Sequence, residues 1–309
     1  MDAPGYIFIK QLGKGNFGTV NLVKNGEDLI AVKYIALPEN EKVRESMIRE
    51  AENLKILSNP CSPNVVCSYG SRVIHNTLLI EMEYIDGVTF LNYFEKLYKN
   101  LDRDIYLKLC TAALTDITKG IKYIHSKGII HRDIKPDNIL ITGKTTIQIQ
   151  AKIVDIGLGC NPITLCQNKS VFTNISNQDI FDKENKGQET KCCKGGAGTF
   201  LYSAPEVIIQ KISYYASDMF SLAATMYRII TLENIYPLHI STAEQLKEFM
   251  KTEEYPKLKI SNTHNTLKTL NTHNTHNKLS LIVNNLLSRN FLLRYTADQV
   301  LELLNSHSY

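Results

Sequence analysis

The spacing of apolar residues changes once along this chain, and that change narrows the available folds more than any other feature. Before Asp86 and Gly87 the apolar residues mostly fall in short β-prone runs, whereas beyond this pair they recur at helical spacing. Aspartate followed by glycine breaks a regular pattern, so the pair marks the border. A β-rich segment followed by a helix-rich segment is typical of an α+β protein with two lobes.

The same two periods predict the individual elements. Strands are predicted at residues 6–12, 19–23, 29–35, 65–68 and 78–84. One helix, at residues 41–57, is predicted between the third and fourth strands. Beyond the border, helices are predicted at residues 89–99, 105–127, 217–231, 242–251 and 279–305.

Length and composition limit the classes of function. The 309 residues are 43% hydrophobic, which is enough for the core of one large domain or two small ones. A net charge of +4 is too small to indicate nucleic-acid binding, and no apolar run is long enough to insert into a membrane. Residues 1–10 lack the pattern of a secretory leader, so the sequence predicts an intracellular protein, cytoplasmic or nuclear, whose seven cysteines are mostly free thiols.

Three glycines lie between the first two predicted strands, in the run Gly13-Lys14-Gly15-Asn16-Phe17-Gly18-Thr19-Val20. Because glycine has no Cβ, backbone N–H groups in such a run can approach phosphate oxygens closely. Alone the pattern is weak, since a plain β-hairpin turn fits it as well. A dinucleotide-binding turn would lead into a helix, whereas here a strand follows, which favours a lid above phosphates.

Lys33 lies on the third predicted strand, soon after the glycine run. From there its ammonium group could reach the same cleft and hold phosphate oxygens. Such a lysine needs a carboxylate to direct it, and Glu50 on the following helix is the candidate. Glu45 and Glu52 on that helix are rival partners.

The strongest local signal is the run His131-Arg132-Asp133-Ile134-Lys135-Pro136-Asp137-Asn138. Phosphoryl transfer needs an acceptor for the substrate proton, a cation for the moving group and an oxygen ligand for Mg²⁺. Asp133, Lys135 and Asn138 supply all three within one short run. An ordinary polar turn would need four residue types at fixed offsets by chance.

Two further motifs and one helix-start residue follow along the chain. Asp155-Ile156-Gly157 ends a β-prone run, and a carboxylate at a strand end is a good ligand for a hard metal ion. The segment Gly198-Thr199-Phe200-Leu201-Tyr202-Ser203-Ala204-Pro205-Glu206 comes later, and Asp218 then stands at the start of an apolar helix.

In this order, the motifs resemble those of eukaryotic-type protein kinases, and the likeness covers about residues 6–305. The resemblance implies a single kinase domain over residues 1–309. Its small lobe, an antiparallel β-sheet with one main helix, would occupy residues 1–85, and its larger, mostly helical lobe would occupy residues 86–309. It also implies ATP as phosphate donor, Mg²⁺ as metal with Mn²⁺ able to replace it, and a protein as substrate.

The resemblance also assigns roles to residues. Asp133 would accept the proton of the substrate hydroxyl and Lys135 would neutralise the transferred group, so these two are the implied catalytic residues. Asn138 and Asp155 would hold the metal ion. The implied ATP-binding residues are Leu12, Gly13, Gly15, Gly18, Val20, Ala31, Lys33, Glu50, Met82, Glu83, Ile85 and Leu140. Of these, the Glu83 carbonyl and the Ile85 N–H would meet the adenine edge.

Away from the cleft, the resemblance pairs Glu206 with Arg294 as a structural link. It also bears on the substrate. Asp137 matches an acidic position that contacts a basic substrate residue in basophilic kinases, but Thr89 stands where such kinases often have a second acid. The indication of a basic substrate is therefore weak.

Some residues depart from the family pattern. Ile156 stands where the family has Phe, and Phe220 and Ala223 stand where it tends to have Trp and Gly. None of these changes removes a residue that touches ATP or metal in the family, so an inactive scaffold is a weaker interpretation. A small-molecule kinase also fits less well, because the segment at residues 198–206 resembles the loop that positions a peptide. Lys135 in the first loop and Thr199 in the later segment resemble the residues that serine/threonine kinases have at these positions.

Residues 160–197 and 261–278 resemble insertions. The first has weak periodicity and is expected to be a regulatory loop switched by phosphorylation, with Thr190 as the first site and Arg132 as partner of the phosphate; a passive disordered insertion is the alternative. Four cysteines in it are expected to be free thiols rather than zinc ligands: Cys160, Cys166, Cys192 and Cys193. The second, rich in Asn, Thr and His, is expected to be a disordered loop rather than a metal site.

Overall fold

A computed structural model shows how these elements assemble. It describes residues 5–15, 18–145, 148–162, 164–167, 189–237, 239–240, 242–252, 255–260 and 270–306. The chain has two lobes, a β-sheet with one helix and a larger, mostly helical lobe, so the predicted α+β class is confirmed.

Antiparallel pairing joins the five strands of the small lobe into one sheet. The strands are β1 Ile7–Gly15, β2 Gly18–Asn25, β3 Asp28–Ala36, β4 Ser68–Ile74 and β5 Thr77–Glu83, in the order β1-β2-β3-β5-β4. Most buried residues of the sheet lie on β3 and β5, whereas β1 is exposed along its length because it is an edge strand. In the register, Ala31 faces Met82 and Lys33 faces Ile80.

Helix α1, Glu41–Leu57, has the bounds that the sequence predicted. The Asn40 side chain caps it by accepting the N–H of Val43 at 3.3 Å, and Glu41 and Lys55 lie at the ends where the helix dipole favours their charges. Its buried residues are Glu50, Ala51, Asn53, Leu54 and Leu57. A charged side chain is therefore buried with the apolar face of the helix.

The large lobe is built around one buried helix. Its helices are α2 Phe90–Tyr98, α3 Arg103–Ser126, α4 Pro205–Gln210, α5 Tyr215–Thr231, α6 Ala243–Thr252, α7 Leu270–Leu286 and α8 Ala297–Asn305. Helix α5 is buried at most of its positions, and both α3 and α7 pack against it. Helix α3 also contacts α8.

Two small sheets lie near the border of the lobes and in the first predicted insertion. Strands β6 Val88–Thr89, β7 Ile139–Thr145 and β8 Gln148–Ile153 form the first, in the order β6-β7-β8. Strands β9 Thr164–Gln167, β10 Glu189–Lys194 and β11 Ile212–Ser213 form the second, in the order β11-β10-β9. The first predicted insertion thus contains two paired strands.

The strand predicted at residues 65–68 is wrong. Val65 forms only an isolated parallel bridge with Ile153, and the N–H of Val66 donates to the Ile153 carbonyl at 2.8 Å. These bonds pull the segment toward β8, so β4 starts only at Ser68.

The helix predicted at residues 279–305 is in fact two helices. The Asn290 side chain accepts the N–H of Leu292 at 3.0 Å and starts a separate 3-10 turn, Phe291–Leu293. Thr296 then caps α8. Polar side chains that compete for backbone N–H groups end one helix and start the next.

The prediction of a disordered loop at residues 261–278 is partly wrong. Helix α7 begins at Leu270, so residues 270–278 are helical rather than a disordered loop. His276 is buried, and its Nε2 lies 3.2 Å from Asp104 Oδ1. Residues 261–269 lie outside the described part of the chain.

Candidate active site

Three charged groups from both lobes meet at the cleft. Lys33 Nζ donates to Glu50 Oε1 at 2.5 Å and to Asp155 Oδ1 at 3.3 Å. The rival carboxylates Glu45 and Glu52 lie on exposed positions of α1. The structure therefore selects Glu50 as the carboxylate that directs Lys33.

The pKa shifts of Lys33 and Asp155 favour their charged forms, whereas burial raises the pKa of Glu50. Burial alone would lower the pKa of Lys33, but Glu50 and Asp155 outweigh it and raise that pKa above its ordinary value. Burial would likewise raise the pKa of Asp155, but Lys33 and the Gly157 N–H outweigh it and lower that pKa. A cationic lysine and an ionised aspartate therefore face the cleft together.

Asp133 is held by three residues. Its Oδ1 accepts the N–H and the Oγ1 hydroxyl of Thr199, each at 2.8 Å. Its Oδ2 lies 2.8 Å from Lys135 Nζ and accepts Asn138 Nδ2 at 2.9 Å. Lys135 Nζ also donates to Thr199 Oγ1 at 2.7 Å. A carboxylate, a cation and a hydroxyl thus form one hydrogen-bonded cluster.

The oxygen donors beside this cluster fit a hard divalent cation. Asn138 turns its amide nitrogen to Asp133, which leaves its amide oxygen as the group that could face a cation. The Val154 N–H donates to the Asn138 carbonyl at 3.0 Å, so Asp155 follows directly beside Asn138. One amide oxygen and one carboxylate match the ligands that Mg²⁺ takes from proteins when phosphates supply the rest.

The residues expected to line the adenine pocket lie on β3, β5 and β7. Ala31 and Met82 are buried opposite each other on β3 and β5, and Leu140 lies on β7. The Glu83 carboxylate accepts Lys152 Nζ at 2.7 and 2.8 Å and the Cys67 N–H at 2.7 Å. The side chain of Glu83 is thereby anchored to β8 and to the residue just before β4.

The remaining expected ATP-binding residues lie on or next to the same sheet. Gly13 faces Val20 and Gly15 faces Gly18 across β1 and β2, with Leu12 on β1. Gly18 has φ +151°, and a Cβ there would collide with the Tyr34 carbonyl, so only glycine fits. Asn16 and Phe17 lie outside the described residues. Ile85, just beyond β5, packs partly buried against the core.

Comparison with known proteins agrees with this geometry. The family described as protein kinase domain matches residues 6–304. The chain belongs to the protein kinase domain family. A domain of this family uses ATP and a divalent metal ion.

Curated relatives of the chain are named as serine/threonine-protein kinases. The chain is 31% identical, over 73% of its length, to a probable serine/threonine-protein kinase of Dictyostelium discoideum, and spans 21% of that protein. A serine/threonine-protein kinase of Oryza sativa subsp. japonica is 28% identical over 81% of the chain, which spans 59% of it. One of Protochlamydia amoebophila is 29% identical over 81% of the chain, which spans 25% of it. The chain thus spans less than two thirds of the length of each.

Sequence reasoning noted Asp218 of the kinase domain but missed its contacts. Asp218 is fully buried, and its carboxylate accepts the N–H groups of His131 and Arg132, each at 2.8 Å. His125 Nε2 lies 2.8 Å from the same carboxylate. Asp218 therefore fixes the backbone just before Asp133. The signal was its place at the start of an apolar helix, where a buried carboxylate needs partners.

Gly198 allows a close approach to the same loop. Its φ is +104°, and a Cβ there would collide with the carbonyl oxygen of Arg132. No other residue type could bring Thr199 against Asp133 without moving the backbone. Arg132 itself has φ +69° and donates Nε to the Leu158 carbonyl at 2.6 Å.

The expected pair of Glu206 and Arg294 is confirmed. Arg294 donates to Glu206 from Nη1 at 2.7 Å and from Nη2 at 2.9 Å, and Ser217 donates its hydroxyl to the same carboxylate at 2.6 Å. Ile156, which replaces the usual Phe, is fully buried in the main core. The substitution thus keeps an apolar contact beside Asp155.

The cysteine prediction is wrong. Cys160 is bonded to Cys193 and Cys61 to Cys67, and Cys192 is disulfide-bonded as well. Among the described residues, Cys110 is a buried free thiol. Spacing along the chain gave no sign of the Cys160–Cys193 pair, because the fold brings together two positions that are 33 residues apart in sequence.

Two features are absent from the residues that the structure describes. In that part of the chain, no helix is long and apolar enough to cross a membrane. The same residues contain no group of three or more His, Cys, Asp or Glu side chains placed to hold a metal ion. The side chain of Cys166 and the hydroxyls of Ser170, Thr173 and Ser176 lie outside them.

Proposed function

We propose that this chain is a serine/threonine protein kinase that transfers the γ-phosphate of ATP to a protein hydroxyl. One observation carries the proposal: Asp133, Lys135 and Thr199 are in mutual hydrogen-bonding contact, 2.7 to 2.8 Å apart. A base and a cation at one point are what an incoming hydroxyl and a departing phosphoryl group require.

Each residue of the cluster has a separate task in this proposal. Asp133 orients the substrate hydroxyl and accepts its proton at a carboxylate oxygen, while Lys135 neutralises charge on the transferred group. Thr199 holds Asp133 by two hydrogen bonds, so the carboxylate keeps one direction. Asp218 fixes the loop backbone by accepting the N–H groups of His131 and Arg132.

The nucleotide side rests on Lys33, with Glu50 aiming it at the α- and β-phosphates. Asn138 and Asp155 would hold Mg²⁺, or Mn²⁺ in its place. The metal supplies charge neutralisation on the phosphates when bound. The glycine run and the apolar residues between β3, β5 and β7 would enclose the rest of ATP.

Partner and location follow from the proposed reaction. The substrate is a protein, with neither nucleic acid nor membrane as a partner. The proposed location is intracellular, in the cytoplasm or nucleus, where ATP is supplied. Phosphorylation of Thr190, which lies on β10, remains a prediction.

A degenerate peptide library tests the proposal most broadly. Purified chain with Mg-ATP should phosphorylate serine and threonine acceptors, and mass spectrometry would identify the acceptor. Asp133→Asn should reduce turnover by about 10²–10⁴-fold, the usual share of a general base, while ATP still binds. Asp28→Asn, at an exposed position, is the matched control. An Asp133→Asn protein as fast as the wild type, or transfer to tyrosine alone, would refute the proposal.

A further inference from the structure

The Cys160–Cys193 disulfide joins two stretches that both contact the catalytic loop. The two cysteines are separated by 33 positions in sequence. Cys160 lies five residues after Asp155, and Cys193 lies six residues before Thr199. The bond therefore connects the metal-binding side of the site to the side that positions Asp133.

The Cys160 side is fixed to the backbone that leads into the loop. The N–H of Cys160 donates to the Ile130 carbonyl at 2.9 Å, and the Ile130 N–H donates back to the Cys160 carbonyl at 2.9 Å. The neighbouring Gly159 carbonyl accepts Asn53 Nδ2 of α1 at 3.0 Å. Cys160 is thus held by both the catalytic loop and the helix that carries Glu50.

The Cys193 side belongs to β10, which is held by pairing with β9 and β11 and by the disulfide bond of the neighbouring Cys192. Cys193 is 3% exposed and pairs with Ser213 of β11, a strand of only two residues. Beyond it, the Gly195 N–H donates to the Lys211 carbonyl at 2.8 Å, before Thr199 reaches Asp133. The Cys160–Cys193 bond therefore ties β10 directly to the segment that the Ile130 hydrogen bonds fix.

We propose that Cys160 and Cys193 form a site of reversible oxidation whose disulfide holds Thr199 against Asp133. The inference rests on the proposed kinase function, since its effect is on peptide phosphorylation. In the oxidised form Lys33, Glu50, Asp155 and the Asp133 cluster are assembled together. Reduction frees β10 to move away from Cys160 and loosens the position of Thr199.

In the proposed intracellular location, a reversible bond is the expected interpretation. Structural disulfides are rare in reducing compartments, where those that occur are mostly transient or redox-sensing. A cross-link between distant positions also restricts the backbone more than a short loop does. The Cys61–Cys67 pair, separated by six positions in the small lobe, makes no comparable connection.

The chemistry is thiol–disulfide exchange with a low-molecular-weight disulfide such as glutathione disulfide. The thiolate of Cys160, the less buried of the two, attacks one sulfur of the oxidant and releases one glutathione thiol. The Cys193 thiolate then attacks the Cys160 sulfur and releases the second. Two protein thiols lose two electrons and two protons in total, and the oxidant is reduced to two thiols. A small dithiol reverses both steps.

The test compares the chain in glutathione disulfide with the chain in dithiothreitol. Reduction should lower kcat/KM for a serine peptide by at least about fivefold, the low end of typical coupling between sites. Affinity for Mg-ATP should stay within about twofold, because Lys33 and Glu50 do not depend on the bond. Cys160→Ser and Cys193→Ser should be as slow as the reduced wild type in both buffers. Cys61→Ser is the matched control and should keep the redox response.

Hydrogen exchange gives a second measurement that needs no activity. Amides of residues 195–199 should exchange faster in the reduced chain than in the oxidised one, and Cys160→Ala should match the reduced chain. Equal exchange and equal activity in both buffers would overturn the inference, as would a redox response that survives in Cys160→Ser. Altered exchange without any phosphate transfer would instead place the failure in the proposed kinase function.

Discussion

Two buried ion pairs, one in each lobe, differ in how completely their charges are satisfied. In the large lobe, Glu206 and Arg294 have 0% side-chain exposure and share two parallel hydrogen bonds. Arg294 also donates to the carbonyls of Ala216 and Ser288, at 3.0 and 2.8 Å. In the small lobe, Lys33 and Glu50 are 11% and 4% exposed, and Lys33 also faces Asp155, which is 42% exposed.

The difference separates a pair that holds the fold from a pair that serves a ligand. The large-lobe pair has its donors and acceptors engaged by protein, so there is little left for anything else to bind. Lys33 instead lies between two carboxylates, and one of them, Asp155, remains partly open to a ligand. Preorganised charge of this kind is what transition-state stabilisation requires.

The largest effect is expected on stability in the large lobe. Arg294→Met leaves the Glu206 carboxylate buried without its cation, which should reduce the free energy of unfolding by about 3–5 kcal/mol. Urea denaturation measures it. Arg72→Met, at a pair whose arginine is 44% exposed, is the control and should change little. A loss as small in Arg294→Met as in Arg72→Met would break the comparison.

The next effect is on rate. Lys33→Met should reduce kcat/KM for peptide phosphorylation by about 10²–10³-fold, the cost of removing one preorganised donor, while the protein still unfolds cooperatively. Steady-state kinetics and a thermal melt check both parts. Lys24→Met, on the exposed part of the same sheet, is the control. An active Lys33→Met protein would show that the small-lobe pair has no role in transfer.

A smaller loss is expected from the partner. Glu50→Gln keeps the charge of Lys33 but weakens its direction, so kcat/KM should fall by roughly tenfold, equivalent to about 1.4 kcal/mol. Glu52→Gln on the same helix is the matched control and should behave as wild type, because Glu52 is exposed. Equal losses in the two variants would remove Glu50 from its assigned position.

The smallest effect concerns pH. Burial lowers the pKa of His131 below its ordinary value of 6.5, so the folded imidazole stays neutral where the unfolded one takes a proton. The free energy of unfolding should therefore decrease as pH falls below about 6.5, by no more than about 1.4 kcal/mol per pH unit. His131→Gln should flatten this slope in melts between about pH 7.5 and 5.5. His75→Gln, at an exposed histidine, should not. An unchanged slope in His131→Gln would show that His131 does not cause the loss of stability at low pH.

Local patterns predicted much of the fold and named the residues of the candidate site. Helix α1 was predicted to the residue from its apolar spacing, and the Asn40 cap fixes the same start. The run from His131 to Asn138 carries its chemistry in consecutive positions, so spacing alone places Asp133 near Lys135. The pairing of Lys33 with Glu50 needed the fold to separate it from Glu45 and Glu52.

What could not be predicted depends on distant contacts. Val65 and Val66 read as a strand by composition, yet their bonds go to Ile153, far along the chain. The Cys160–Cys193 pair likewise depends on where Ile130 holds Cys160. Neither partner is visible in a local window, since tertiary context decides between equally good local structures.

A crystal structure of the wild-type chain with Mg²⁺ and a non-hydrolysable ATP analogue tests most directly whether the cleft around Lys33 is a phosphoryl-transfer site. The predicted result has Lys33 Nζ on the α- and β-phosphate oxygens while it still contacts Glu50. The metal should be bound by the side-chain oxygens of Asn138 and Asp155. A nucleotide bound with Lys33 turned away, or a metal bound by neither residue, would contradict the account.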